Sequence, residues 1–249
     1  MEKPNLRFPD WTAAGIAIAG GLLLAPLLYI APLVGWDWYV VYFQNKESLF
    51  WYPPWTSLLT APLALALPWR WGLAISNGLT LAALAIATLR ESGARTRWGY
   101  VGALMAVVTP PVVVLLWAGQ VDGWGLIGYL LLPWAVPLLL IKPTVAAFFL
   151  LARKEWFVAG LVFAAVALLL WPTWPAQALG IHVEGNYPHV ASIGWYKLGW
   201  PIGVFGLVLM LFTNRKDPMH LIAAGGFLMP YVFPYHFVFL LPVLGASHT

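Results

Sequence analysis

Residues 98–142 read WGYVGALMAVVTPPVVVLLWAGQVDGWGLIGYLLLPWAVPLLLIK, and the fold turns on how they are threaded. Before the closing lysine, Asp122 is the single charged side chain in this stretch. A bilayer core about 30 Å thick takes roughly 20 helical residues, so 98–121 is long enough to cross once. The run 123–141 allows two foldings. As one straight helix it carries Lys142 to the side opposite Gln120. As a hairpin turning at Leu132-Pro133 it returns Lys142 beside Gln120 and Asp122. Both foldings leave Arg153 and Lys154 on the same side, so the charge pattern does not choose between them.

Further charge-free runs cover 11–36, 71–89, 156–183, 198–214 and 218–249. The whole chain has 249 residues, 61% hydrophobic and 9% charged, with a mean hydropathy of +0.80. Soluble domains carry about a quarter charged residues, and disordered chains are poor in apolar side chains, so both classes are excluded. With no cysteine there is no disulfide, thiolate nucleophile or cysteine-ligated metal. The expectation is an all-α, polytopic transmembrane helix bundle, a single integral-membrane domain over 1–249. It has about seven spans, the first run being a retained anchor. Residues 55–68 and 143–152 are apolar but short, and suit one or two re-entrant or juxtamembrane helices.

The net charge of +4 is explained by cytoplasmic loops rather than by nucleic acid. With a cytoplasmic N-terminus (Lys3, Arg7) and 55–68 not crossing, Arg90, Arg95, Arg97, Arg153, Lys154, Arg215 and Lys216 fall inside. Lys46, Arg70, Lys142 and Lys197 then remain outside. The loops 36–54, 118–122 and 172–198 share the outer face of a cell membrane. They gather Asp37, Glu47, Asp122 and Glu184 with His182 and His189.

Few polar positions are available for chemistry. Asp37, between Trp36 and Trp38, sits just past the first span, where partial desolvation suits a carboxylate to base work, or where it is simply a solvated helix end. Tyr52-Pro53-Pro54 enforces an extended entry to the short apolar segment and places a rigid tyrosine beneath the outer loop. Gly119-Gln120-Val121-Asp122-Gly123 joins turn-forming glycines to two good hydroxyl binders, and also reads as a plain surface turn. Lys142 lies inside apolar sequence. Such a lysine either snorkels to the interface or marks a site with an anionic partner. His182, His189 and His236 lack metal-ligand spacing, and His236, between Tyr235 and Phe237, reads as a hydrogen-bonded core residue. No metal site is legible. Nucleophile-elbow, P-loop and dinucleotide motifs do not occur.

In order, Asp37-Trp38-Tyr39-Val40-Val41-Tyr42, Tyr52-Pro53-Pro54, Gly119-Gln120-Val121-Asp122, Lys142-Pro143 and Arg153-Lys154-Glu155-Trp156 resemble glycosyltransferase family 87. That family comprises the polyprenol-phosphate-mannose-dependent mannosyltransferases of the GT-C superfamily. The match runs over about residues 37–170, in a chain shorter than typical members. The resemblance implies a GT-C-like bundle that moves a sugar, mannose in the family, from a polyprenyl-phosphate donor to a hydroxyl of a glycolipid or glycan acceptor. Transfer takes place on the extracytoplasmic face, with inversion and without a cofactor. Asp37 takes the catalytic-base role and Lys142 the donor phosphate. Tyr52, Gln120, Asp122 and His189 are the sugar- or acceptor-binding candidates. The resemblance also favours the hairpin, since it needs Lys142 outside. Two other readings stand beside it. One is a non-catalytic GT-C-like subunit or lipid-binding protein, the other a small transporter with proline-broken helices. The geometric expectation is that Asp37 and Lys142 converge on one outer hollow.

Overall fold

The structure, a computed structural model, describes residues 11–43, 52–91, 97–177, 198–229, 232 and 234–242. Among them the regular elements are helical, with no strand. The long element is α4 (Trp69–Glu91), 23 residues, about 34 Å at 1.5 Å per residue. It is buried along most of its length because its inward positions are small: Ala74, Gly78, Ala82, Ala83 and Ala87. Helix α1 (Trp11–Leu23) continues into α2 (Ala25–Ile30), and both lie against α4. Gly21 and Gly78 meet at the crossing, where a Cβ on either would strike the other's backbone carbonyl. Small residues that bring backbones together are how apolar helices associate when no water is there to drive them.

Helix α3 (Pro54–Ala66) is 13 residues long, with Pro54 in its first turn and Pro62 within. It is the short helix expected at 55–68. Helices α5 (Arg97–Val107) and α6 (Pro110–Ala118) are bent by 51° at the intervening break. The cause is Pro110-Pro111, where ring closure removes two amide donors. Helix α7 (Asp122–Leu130) turns through residues 131–135, with a cis Leu132-Pro133 bond, into α8 (Val136–Leu139). The return leg packs flat on α7 because Gly128 has no Cβ to hold off the backbone of Leu138 and Leu139. The run 123–141 is therefore the hairpin, not the straight helix. From Lys142 the chain enters α9 (Pro143–Ala146) and a 3-10 turn (Ala147–Ala152), the second short apolar segment. Then follow α10 (Lys154–Leu170), α11 (Trp200–Phe212), α12 (Pro218–Leu228) and a last 3-10 turn (Pro234–Leu240).

The all-α expectation holds among the described residues, and the count of about seven spans is reached only in part there. Among the described residues, two helices, Thr12–Ile30 and Trp69–Glu91, are long and apolar enough to cross a membrane, or three if the bent pair is one span. Prolines cut several of the charge-free runs into shorter helices. Pro133 and Pro137 divide 123–141, and the runs 198–214 and 218–249 yield helices of 13 and 11 residues. The outward faces of α1, α10 and α11 are apolar: Ile16, Leu23, Leu161, Leu169, Leu207 and Phe212 are all exposed. Apolar surface of that extent marks contact with lipid or with another protein.

Candidate functional site

Two glycines bring the first polar pair together. Gly35 (φ 55°) and Gly119 (φ 73°) both occupy the left-handed region, which L side chains rarely adopt. The Gly35 N–H donates to Trp117 O at 2.9 Å, and a Cβ on Gly119 would lie 3.0 Å from the Gly35 Cα. This contact joins the loop after α2 to the C-terminus of α6. Asp37 follows one glycine by two residues and Gln120 the other by one, so the close approach sets Asp37 against Gln120. A π-helical turn (Trp38–Phe43) begins immediately beyond, with Trp38 fully buried and Tyr42 against Tyr52 at 5.5 Å between ring centroids. Such turns recur at functional sites.

Gln120 links the cluster. Its Nε2 donates to Asp37 Oδ2. Its Oε1 accepts from the Tyr52 hydroxyl at 2.8 Å and from Lys142 Nζ at 3.3 Å. The amide orientation follows from chemistry, since an ammonium only donates and must face the oxygen. Lys142 Nζ also lies 3.5 Å from Asp122 Oδ2 and 5.1 Å from the centre of the Tyr52 ring. The segment ahead of Lys142 is pinned by α3. Trp55 Nε1 donates to Leu140 O at 3.1 Å, and Thr56 Oγ1 to Ile141 O at 2.7 Å. On its other side, Asp122 Oδ1 faces His236 Nε2 at 3.4 Å. Asp122 and His236 are 0% exposed and Lys142 8%. Asp37 is half-buried and is the acid that reaches the surface. Burial, more than any neighbour, raises its carboxyl above the usual range; Asp122 adds to the rise and Lys142 opposes it.

The structure thus brings together Asp37, Tyr52, Gln120, Asp122 and Lys142, five of the six residues singled out from sequence. Asp37 and Lys142 do converge, but the Gln120 side chain, rather than a hollow, lies between them. The sixth residue, His189, lies outside the described residues, as does His182. His236, read as a core histidine, is fully buried and is also the second neighbour of Asp122. The signal was present: an ionisable group deep in apolar sequence expects a named partner. Among the described residues no three His, Asp or Glu side chains are placed to hold a metal ion. Compared with protein-family models, curated proteins and solved structures, the chain matches none.

Proposed function

We propose that this chain is an integral-membrane glycosyltransferase that moves a sugar from a polyprenyl-phosphate donor to an acceptor hydroxyl. In this reading it is a shortened GT-C-like bundle of the cell membrane, N-terminus inside, with its site on the outer face. Mannose is the sugar that the family 87 resemblance implies. The observation that carries the reading is the convergence of a surface-reaching acid and a buried ammonium on one amide, from segments far apart in sequence. Asp37 takes the proton of the acceptor hydroxyl. The acceptor oxygen forms a bond to the anomeric carbon from the face opposite the phosphate. The bond from that carbon to the phosphate oxygen breaks, and its electron pair leaves with the lipid phosphate. Lys142 neutralises the charge that develops there, an electrostatic contribution of the kind that usually dominates such steps. Sugar hydroxyls take over the hydrogen bonds that Gln120 makes to Tyr52 and Asp37.

Purified protein in lipid nanodiscs, given radiolabelled polyprenyl-phosphate mannose and glycolipid acceptors, is expected to transfer the label. Asp37→Asn should lower the rate by about 10²–10⁴-fold, the usual worth of a general base. Undiminished transfer in that variant would refute the assigned base. No transfer from any polyprenyl-phosphate sugar would favour the non-catalytic, lipid-binding reading.

A further inference from the structure

At the other end of α7 from the Gln120 cluster, cations gather without acids to balance them. Arg90, in the last turn of α4, stands 5.2 Å from the centre of the Tyr129 ring, and Arg153, just ahead of α10, stands 5.0 Å from that of Trp156. The two rings meet edge to face at 6.2 Å, so both guanidiniums border one aromatic patch. Lys154 is exposed beside Arg153. Nearby carboxylates are engaged elsewhere. Glu91 accepts from the Tyr129 hydroxyl, and Asp217, near enough for its charge to reach Tyr129, caps α12 through Met219 N and faces His220. Among the described residues neither arginine has a carboxylate partner, and the Arg90 Nε is buried without a hydrogen bond. We propose that this end of the bundle binds an anionic glycerophospholipid, with its phosphate at Arg153 and Lys154, Arg90 at the edge, and its acyl chains along α10.

Charge and shape together select the occupant. Arg153 and Lys154 stand at the N-terminal end of α10, the pole of a helix where a cation is unfavourable and an anion favourable. Exposed Glu155 offsets part of this charge and leaves the cations in excess. The planar fork of an arginine matches a phosphate through two parallel hydrogen bonds. Phe157 and Leu161 follow Arg153 at intervals of four residues, hence on its side of the helix. Both are exposed, as are Leu151 and Val158. A dissolved phosphate would pair with the cations and leave that hydrocarbon bare, and exposed ion pairs by themselves contribute little. A phosphate that carries acyl chains covers both. The headgroup beyond the phosphate must bring no cation of its own, since an ethanolamine or choline group would meet Arg153 and Lys154. Glycerol brings none, so phosphatidylglycerol fits where a zwitterionic lipid does not.

This site stands apart from the transfer reading, and its test needs no donor sugar. Purified protein in detergent micelles is titrated with phosphatidylglycerol, phosphatidylethanolamine or sodium phosphate, and the bound copies are counted by native mass spectrometry. Phosphatidylglycerol should be retained in clear preference to phosphatidylethanolamine, and sodium phosphate should not displace it. Arg153→Gln and Lys154→Gln should each weaken retention about fivefold, the usual worth of one basic side chain against an anionic lipid surface. Adding Arg90→Gln to either should weaken it further. Lys154 is exposed, so its variant keeps the test readable if Arg153→Gln fails to fold. Leu161→Ser, also at an exposed position, should loosen the lipid by uncovering its chains. Arg70→Gln is the control. Its guanidinium also lies over rings, those of Tyr29 and Trp69 at 5.9 and 5.5 Å, but at the start of α4, the far end from Arg90. It should leave retention unchanged. Equal retention of phosphatidylethanolamine, displacement by sodium phosphate, or equal losses in Arg70→Gln and Arg153→Gln would overturn the lipid site.

Discussion

The two ends of α7 present opposite ways of placing charge in an apolar bundle. At its C-terminus, Tyr129 donates to Glu91 Oε1, and Arg90 lies 5.2 Å from the centre of the Tyr129 ring while donating to Leu130 O at 3.3 Å. Arg153 covers Trp156 in the same manner at 5.0 Å, and Tyr129 stacks on Phe149 at 4.2 Å. These cations sit on aromatic faces and close off helix ends, a packing arrangement typical of an interface. At the N-terminus of α7, about 12 Å away along the helix, the charges face one another instead. Lys142, Asp122 and His236 are buried together, and Gln120 transmits the contact to Asp37 at the surface. A bundle has no structural need for a buried lysine, and removing one partner of such a pair is costly. The first end holds helices together; the second buries ionisable groups against one another.

Four experiments break or sharpen that contrast. The largest effect is expected from Lys142→Ala, which leaves Asp122 buried without its ammonium. It should destabilise by about 3–5 kcal/mol in reversible unfolding in mixed micelles, and Lys142→Met with Asp122→Asn should recover part of the loss. Arg90→Ala, at the other end, should cost no more than about 1 kcal/mol. Equal losses at the two ends would erase the distinction. Next comes Gly128→Val, whose side chain would press into the backbone of Leu138 and Leu139. It should cost about 1–3 kcal/mol or more and displace Lys142, seen as faster reaction of that amine with an impermeant acylating reagent. Smaller still are Tyr52→Phe and Tyr129→Phe, each deleting one hydrogen bond worth about 0.5–1.5 kcal/mol. The two should cost similarly in stability, yet only Tyr52→Phe should slow transfer. A transfer defect in Tyr129→Phe would move the site.

The last effect is a displacement rather than a loss. A base works deprotonated, so transfer should fall as pH drops through the raised carboxyl range of Asp37. Lys142 lowers that carboxyl and Asp122 raises it. Asp122→Asn should therefore move the acid limb of the rate to lower pH, and Lys142→Met should move it higher. Shifts of the same sign in both variants would mean that the limb belongs to another group.

Much of the cluster was legible because ionisable and amide side chains are expensive in apolar surroundings, so the few present stand out. Lys142 was visible on that ground alone, whereas Asp122 was read in a surface turn and is fully buried. His236 was legible as a core residue, which it is, but its contact with Asp122 was not. Helix length was less legible than burial. Counting charges finds where a chain can be buried, whereas helix length depends on backbone donors. Pro110 and Pro111, and then Pro133 and Pro137, remove those donors without adding any charge.

Composition and the spacing of charges were enough, without any coordinates, to establish an all-helical apolar chain and to single out the side chains that are costly to bury. Solvation depends on each residue's own chemistry, so it can be read along a line. Which of them meet was decided by tertiary structure. The contact of Gly35 with Gly119, the flat packing of α8 on Gly128, and the pairing of Asp122 with His236 each depend on where two distant backbones come to rest. Both foldings of residues 123–141 satisfied the same pattern of polarity. The hairpin was selected by shape, through one missing Cβ.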